Sequence, residues 1–480
     1  MNRGKICSIE IPAVTKCVVG SHHLQIFPVI EGWFYKQGGN KMKRLKVTGK
    51  ELALLCGMAA LGTLTLPLGA AARTVDSVTA TAGSTAEIVY SGETLTVTNG
   101  VESIGNNATG IRAVDDTEVA IGKDIYVHGA NSQYNNSYGV YGDSGVQVKV
   151  GTDIVVESDA GAERVRGIYI DGGYGSSISS TPDIQVGGNI SASGINTIGI
   201  YVSGKNANIK VDGNVTASNR NATGITTGGT SKIYVGGDVI SSYDNNGTLS
   251  YGISVGAGND SYVEVAGNIV ASGKLTSGVR MGGSGTNKQI KVGKSVVAGG
   301  ESSKGIDTNG DGVSAYVAGD VTANGKSSLG IIVQNDAQVT VDGNLKASGE
   351  GAKGVELRDG SSVTVGKNIE VSGTEAIGIN VDRWNVSGSG IEINVGGSFI
   401  VSGDDSYGIY TGTTKNTALK VNITDDLVVS STNSSTQSVG IFSAYMPLEA
   451  VIGGKVAVSG TGVYGIYGDA GSDIGALQVT

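Results

Sequence analysis

The sequence predicts an all-β fold, a right-handed parallel β-helix of about fourteen coils with three short strands in each. Three observations lead there. One phrase recurs between Gly110 and Gly465: a Gly-Ile or Gly-Val step, a Val-x-Val beat, a Gly-Asn or Gly-Asp turn and a closing apolar pair. Successive Gly-Ile steps lie roughly 24 to 32 residues apart, room for one supersecondary unit but far too little for a domain. Glycine supplies 79 of 480 residues, without the every-third-residue order of collagen, and it falls at fixed places in the repeat.

Within one copy, Ile225-Thr226-Thr227, Ile233-Tyr234-Val235 and Val239-Ile240-Ser241 read as three strands separated by Gly-rich turns. Alternation puts Ile233 and Val235 on one face and Tyr234 on the other, and no stretch is long enough for a stable helix. Single units cannot fold alone, so each must stack on the next. The turn Val211-Asp212-Gly213-Asn214-Val215 recurs as Val186-Gly187-Gly188-Asn189-Ile190 and Val341-Asp342-Gly343-Asn344-Leu345. Gly and Asn tolerate positive φ, which predicts a sharp left-handed corner, and stacked Asn side chains predict a ladder along the helix. At about 4.8 Å per coil the stack would be about 65 Å long. Length varies outside these beats, as at Tyr243-Asp244-Asn245-Asn246-Gly247 and Thr432-Asn433-Ser434-Ser435-Thr436, which marks surface loops where recognition would sit.

The first seventy residues read as an address. Met42-Lys43-Arg44-Leu45-Lys46 is basic, Leu52 to Leu68 is apolar, and Ala70-Ala71-Ala72 offers the small-x-small site of a signal peptidase, with cleavage after Ala72. A transmembrane anchor is the alternative, but the run is short and Gly62, Thr63, Thr65 and Pro67 interrupt it. Cys56 follows Leu55, too large for a lipobox. Four segments follow: 1–41, an atypical extension or misassigned start holding Trp33, Phe34, His22 and His23; 42–72, the signal; 73–105, a cap with the first coils; and 106–480, the repeats.

Of 34 basic and 43 acidic side chains, 25 and 40 lie after Ala72, and an acidic body of this kind repels nucleic acid. Cys7, Cys17 and Cys56 all precede Ala72, so neither disulfides nor Cys-ligated zinc hold the repeats, which suits export through an oxidising compartment.

A basic, apolar, Ala-x-Ala leader followed by a Gly-, Ser-, Thr- and Asn-rich β-helical repeat resembles the passenger domains of Gram-negative type V autotransporters and related adhesins, over about residues 42 to 480. The resemblance implies export through the inner membrane, display at the cell surface or secretion, and a C-terminal outer-membrane β-barrel. No barrel sequence is present. Ala476-Leu477-Gln478-Val479-Thr480 matches Ala418-Leu419-Lys420-Val421-Asn422, so the chain is expected to stop in mid-coil as a fragment of a longer protein.

Chemical motifs are few. Gly142-Asp143-Ser144-Gly145 copies the nucleophile segment of trypsin-like proteases, but the same phase of the last repeat has Ala470, and His128 is the only histidine after Ala72. No catalytic residue or organic cofactor is expected. A carbohydrate-active β-helix enzyme, a polysaccharide lyase or glycosidase, is the enzymatic rival, with Asp404-Asp405 and Asp425-Asp426 as its candidate acids. Asp307, Asn309 and Asp311 match the opening of a calcium loop, although Ala318 stands where a bidentate Glu belongs and a plain Asn/Asp/Gly turn explains them equally. Tyr141, Tyr169 and Tyr201 follow the Gly-Ile step in consecutive copies and should stack outward as a stripe, either for binding or as cross-strand packing. The functional expectation is a non-enzymatic rod for adhesion, biofilm contact or self-association, binding host or bacterial glycans or proteins. A passive surface coat is the remaining alternative.

Overall fold

A computed structural model describes residues 72–81, 85–130, 136–159, 164–171, 181–203, 206–242, 249–310, 312–358, 360–381, 390–411, 418–431, 437–444, 447–460, 462–469 and 477–479. Every described residue belongs to the unit 70–480. Among the described residues the α-helix is absent and the regular elements are short strands. They build a parallel β-solenoid with three strands per turn.

The first three strands, Ala72–Val75, Val78–Thr81 and Thr85–Val89, each found one sheet, here A, B and C; the fourth, Thr94–Val97, returns to pair with the first. Continuing this cycle gives sheets of 16, 15 and 15 strands. Sheet C contains one strand before Gly110, so the stack is one coil longer than the Gly-Ile steps mark. That coil escapes the pattern because Ala86 stands where later copies have Gly, as the pairing of Thr85 with Thr109 and Glu87 with Ile111 shows. At the other end Leu477 pairs with Leu448, which pairs with Leu419, the register expected from their matching sequences.

A one-residue slip would turn a strand's apolar side chains from the core to the outer face, so the inward positions repeat without a slip. Ile168, Ile200, Ile225, Ile253, Val279 and Ile306 form one column in sheet C, each fully buried. Ile233 and Val235 point inward and Tyr234 outward, as alternation requires. The glycine of the Gly-Ile step is fixed by proximity: a Cβ on Gly199 would lie 2.4 Å from Val215 Cγ1 and 2.7 Å from the Gly224 carbonyl of the next coil.

The corner between sheets A and B corrects one expectation. Its Gly and Asn residues do not adopt positive φ. Glycine is needed there because a Cβ on Gly213 would lie 2.5 Å from Asn189 Oδ1 and 2.6 Å from the Gly188 carbonyl. Asn is needed as an acceptor: Asn189 Oδ1 takes the backbone N–H of Asn214 at 2.9 Å, and Asn214 Oδ1 takes that of Asp238 at 2.7 Å. The same bond passes from Asp238 to Asn268, Ser295, Asp320, Asn344, Asn368 and Ser398, and backward through Asp153 to Asp124. The expected ladder therefore exists, built of side-chain oxygens on backbone N–H groups, and it satisfies donors that a tight corner would otherwise strand.

Left-handed residues lie on both borders of sheet C instead, at the B–C corner in pairs such as Gly273 and Leu275, Gly325 and Ser327, or Gly349 and Gly351, and at the C–A corner in pairs such as Asn335 and Asp336.

Candidate functional site

Three residues separate sheet A from sheet B in each coil after the first, as between Val186 and Ile190 or between Ile452 and Val456. Connections on either side of sheet C run from three residues, Ser203 to Ala207, up to eleven, Asp171 to Asp183. All length variation therefore borders sheet C, and the outer face of that sheet is the natural place to look for recognition.

Outward positions of sheet C carry the predicted tyrosines. Tyr141, Tyr169 and Tyr201 are register partners in successive strands, with ring centroids 5.2 and 5.3 Å apart. Tyr169 and Tyr201 are nearly coplanar in stacking, 2° apart. Tyr138, from the strand Ser137–Gly142, adds a fourth ring 5.2 Å from Tyr169 and edge-on to Tyr141. Guanidinium groups cover the ends: Arg112 lies 5.2 Å from the Tyr141 ring and Arg166 5.3 Å from that of Tyr201. Arg166 is itself anchored, its Nη1 donating to the carbonyls of Asn196 at 2.8 Å and Val165 at 3.2 Å, and burial pulls its pKa down.

The ring faces are thus spent on one another and on arginine. What the stripe offers a ligand is edges and hydroxyls. Burial pushes the Tyr169 phenol up to about 12. Burial, then the hydrogen bond from Tyr141 Oη to Asp171 Oδ2 at 3.0 Å, raises the Tyr141 phenol further. Both hydroxyls stay protonated at neutral pH and can donate and accept. A second ladder occupies the same column near the other end, where Tyr410, Phe442 and Tyr467 stack at 5.0 and 5.6 Å with Tyr407 and Tyr464 edge-on beside them. Phe442 was legible as the residue two after Gly440, but reading for tyrosine alone passes over it.

The proposed calcium positions are partly in view. Asp307 and Asn309 lie in the strand Lys304–Asn309, while Asp311 lies outside the described residues. Asp307 Oδ2 accepts from Lys304 Nζ at 2.7 Å and Asn309 Oδ1 from Asn335 Nδ2, so both oxygens already have donors. Among the described residues no group of three or more His, Cys, Asp or Glu side chains is placed to hold a metal.

Asn309 and Asn335 instead line an open cleft of about 380 Å³ with Gly283, Ser284, Gly285 and Thr286. Beneath it lies a residue that belongs to no motif of the sequence. Lys288 is fully buried at an inward position where the adjacent coils place Ser261 and Val313. Its Nζ donates to the carbonyls of Gly282, Gly283 and Ser284 at 2.8, 3.0 and 3.3 Å, pinning the cleft wall, and desolvation lowers its pKa.

The remaining motif residues serve the backbone. Asp143 Oδ1 accepts the Ser144 N–H at 2.8 Å and Ser144 is buried, whereas His128 sits in sheet B beside Asp159. Asp404 accepts from the Ser431 hydroxyl, Asp405 from the Gln437 N–H and Asp426 from the Lys455 N–H. Ala72 opens the first strand, paired with Thr94, and Ala70 lies outside the described residues. No family model, curated protein or solved structure matches this chain.

Proposed function

We propose that this chain is an exported, non-enzymatic adhesive scaffold at a Gram-negative cell surface, an autotransporter-like passenger whose coils wind right-handed. Handedness follows the strong general bias of parallel strand crossovers. The observation that carries the functional reading is the confinement of length variation to the borders of sheet C, over a stack held elsewhere by an unvarying corner. A stiff solenoid repeats weak contacts along one face, and their sum gives avidity. Hydroxyl edges, guanidinium groups and loops suit surface glycans or glycosylated proteins, bound by hydrogen bonding more than by ring stacking.

Changing Tyr141, Tyr169 and Tyr201 together to Phe tests this, because the rings stay stacked while the hydroxyls disappear. Binding of the full chain to a panel of immobilised glycans and extracellular proteins should fall at least about tenfold, the effect of roughly 1.4 kcal/mol. Unchanged binding would remove the stripe from the site. Protection of the chain from protease added to intact cells would sink the surface assignment.

A further inference from the structure

The outer face of sheet B differs from that of sheet A. Between Ser191 and Asn324 six successive strands present twelve outward positions, eleven side chains and Gly299, and none is charged. The outer face of sheet A in the same six coils has five charges among twelve: Asp183, Lys210, Lys232, Glu264 and Lys291. An ordinary soluble surface would place about three or four charges on twelve positions. Sheet B instead repeats short side chains in two rows, Ile240, Val270 and Val297 in one and Ser218, Ser242 and Ser272 in the other. Beyond them Lys346 and Glu370 pair with each other at 3.5 Å, and the strands from Phe399, Leu427 and Val456 are uncharged again on this face.

We infer that this face joins two copies of the chain side by side. Depletion of charge is the compositional mark of an interface core, and short β-branched and serine side chains lose little rotamer entropy when covered. One-to-one register along the sheet gives the face a repeat of about 4.8 Å, which a second copy shares and can interdigitate with over its whole length. Eleven strands from Ser191 onward span about 50 Å, and four-residue strands are about 13 Å long. The resulting plane of about 650 Å² per copy, before side-chain relief is counted, approaches the ~800 Å² per partner of a stable interface. The constant three-residue corner on one border leaves no insertion to hold a partner away. This inference is independent of the sheet C reading, since the two faces are different.

Sedimentation velocity of the full chain over a concentration series tests it. The expected result is a twofold rise in mass with concentration, abolished by Val270→Lys and retained in Tyr316→Lys on sheet A, with the circular-dichroism spectrum unchanged in both. A second reading that spares the middle of the face comes from a single nitroxide at Ser459→Cys, on its last strand, in a background with Cys7, Cys17 and Cys56 replaced by Ser. A dipolar signal between molecules is expected there and not from the same label at Ser314→Cys. A monomer at every concentration, or a dimer that survives Val270→Lys, overturns the proposal.

Discussion

The corner between sheets A and B and the connections beside sheet C belong to the same coils but obey opposite rules. At the first, three residues suffice in each coil after the first, and their side chains bond from coil to coil from Asp124 to Ser398. At the second, connections of three to eleven residues coexist with an undisturbed register. The difference teaches that regularity is enforced where a side chain of one coil completes the backbone of the next. Beside sheet C such bonds are scattered and do not run as one ladder, as with the Gln437 N–H on Asp405 within an eight-residue connection, and length is free to change.

Insertion should expose this contrast most strongly. Two residues added after Gly213 separate Asn214 from the Asp238 N–H and misplace the strand that follows, Val215–Ser218. We expect a loss above about 4 kcal/mol, in the range of disrupted buried networks. The same two residues added after Asn245, in the seven-residue connection from Ser242 to Ser250, should cost only about 0.6 kcal/mol, the scale of lengthening a loop. Urea unfolding of the two variants makes the comparison, and equal midpoints would refute it.

Asn214→Ala narrows the question to one bond. It keeps the length and removes the oxygen that accepts the Asp238 N–H at 2.7 Å, leaving that donor without its acceptor. A loss of about 1 to 3 kcal/mol is expected, and Asn214→Asp should recover most of it, since a carboxylate accepts as well. Hydrogen exchange at the Asp238 amide reads the same bond directly.

Leu275 offers a gain at the B–C corner. Its φ of 59° is unfavourable for a branched side chain, and equivalent positions hold Asn196 and Gly351. Leu275→Asn should stabilise by about 1 kcal/mol, measured as a raised unfolding midpoint. No change would mean that the contacts of Leu275 offset its backbone strain.

Much of this was legible in the sequence because the repeat is a physical requirement repeated. The Gly-Ile step located sheet C, and the Val-x-Val beat gave the inward columns of sheet A correctly at Ile233 and Val235. The Asn corners were correctly read as structural, but for a conformational reason that their φ values do not support; the close approach that excludes a Cβ from Gly213 depends on the neighbouring coil. The tyrosine stripe was legible as a column. Arg112 stands in the same column, as the register partner of Tyr141, but reading for tyrosine alone passes over it; Arg166 was not legible, because it reaches Tyr201 from another row of the preceding strand. Lys288 was hidden for a similar reason: a lysine next to Gln289 reads as surface until its column is known to point inward.

The smallest expected effect distinguishes the acids of the ladder from its amides. Asp124 receives the Thr152 hydroxyl and the Asp153 N–H, and these hold its carboxyl below the ordinary value of 3.8. A depressed folded pKa means that the unfolded chain binds the proton first. The contribution is therefore fully present above the unfolded value and disappears as pH falls through the folded one. Because the group is largely open to solvent, the change is small. Asp124→Asn keeps an acceptor oxygen without a titrating proton, so melting followed from neutral to acid pH should be flatter in the variant below that ordinary value. Parallel curves would show that Asp124 contributes through geometry alone, in the same way as Asn189 and Asn214 higher in the stack.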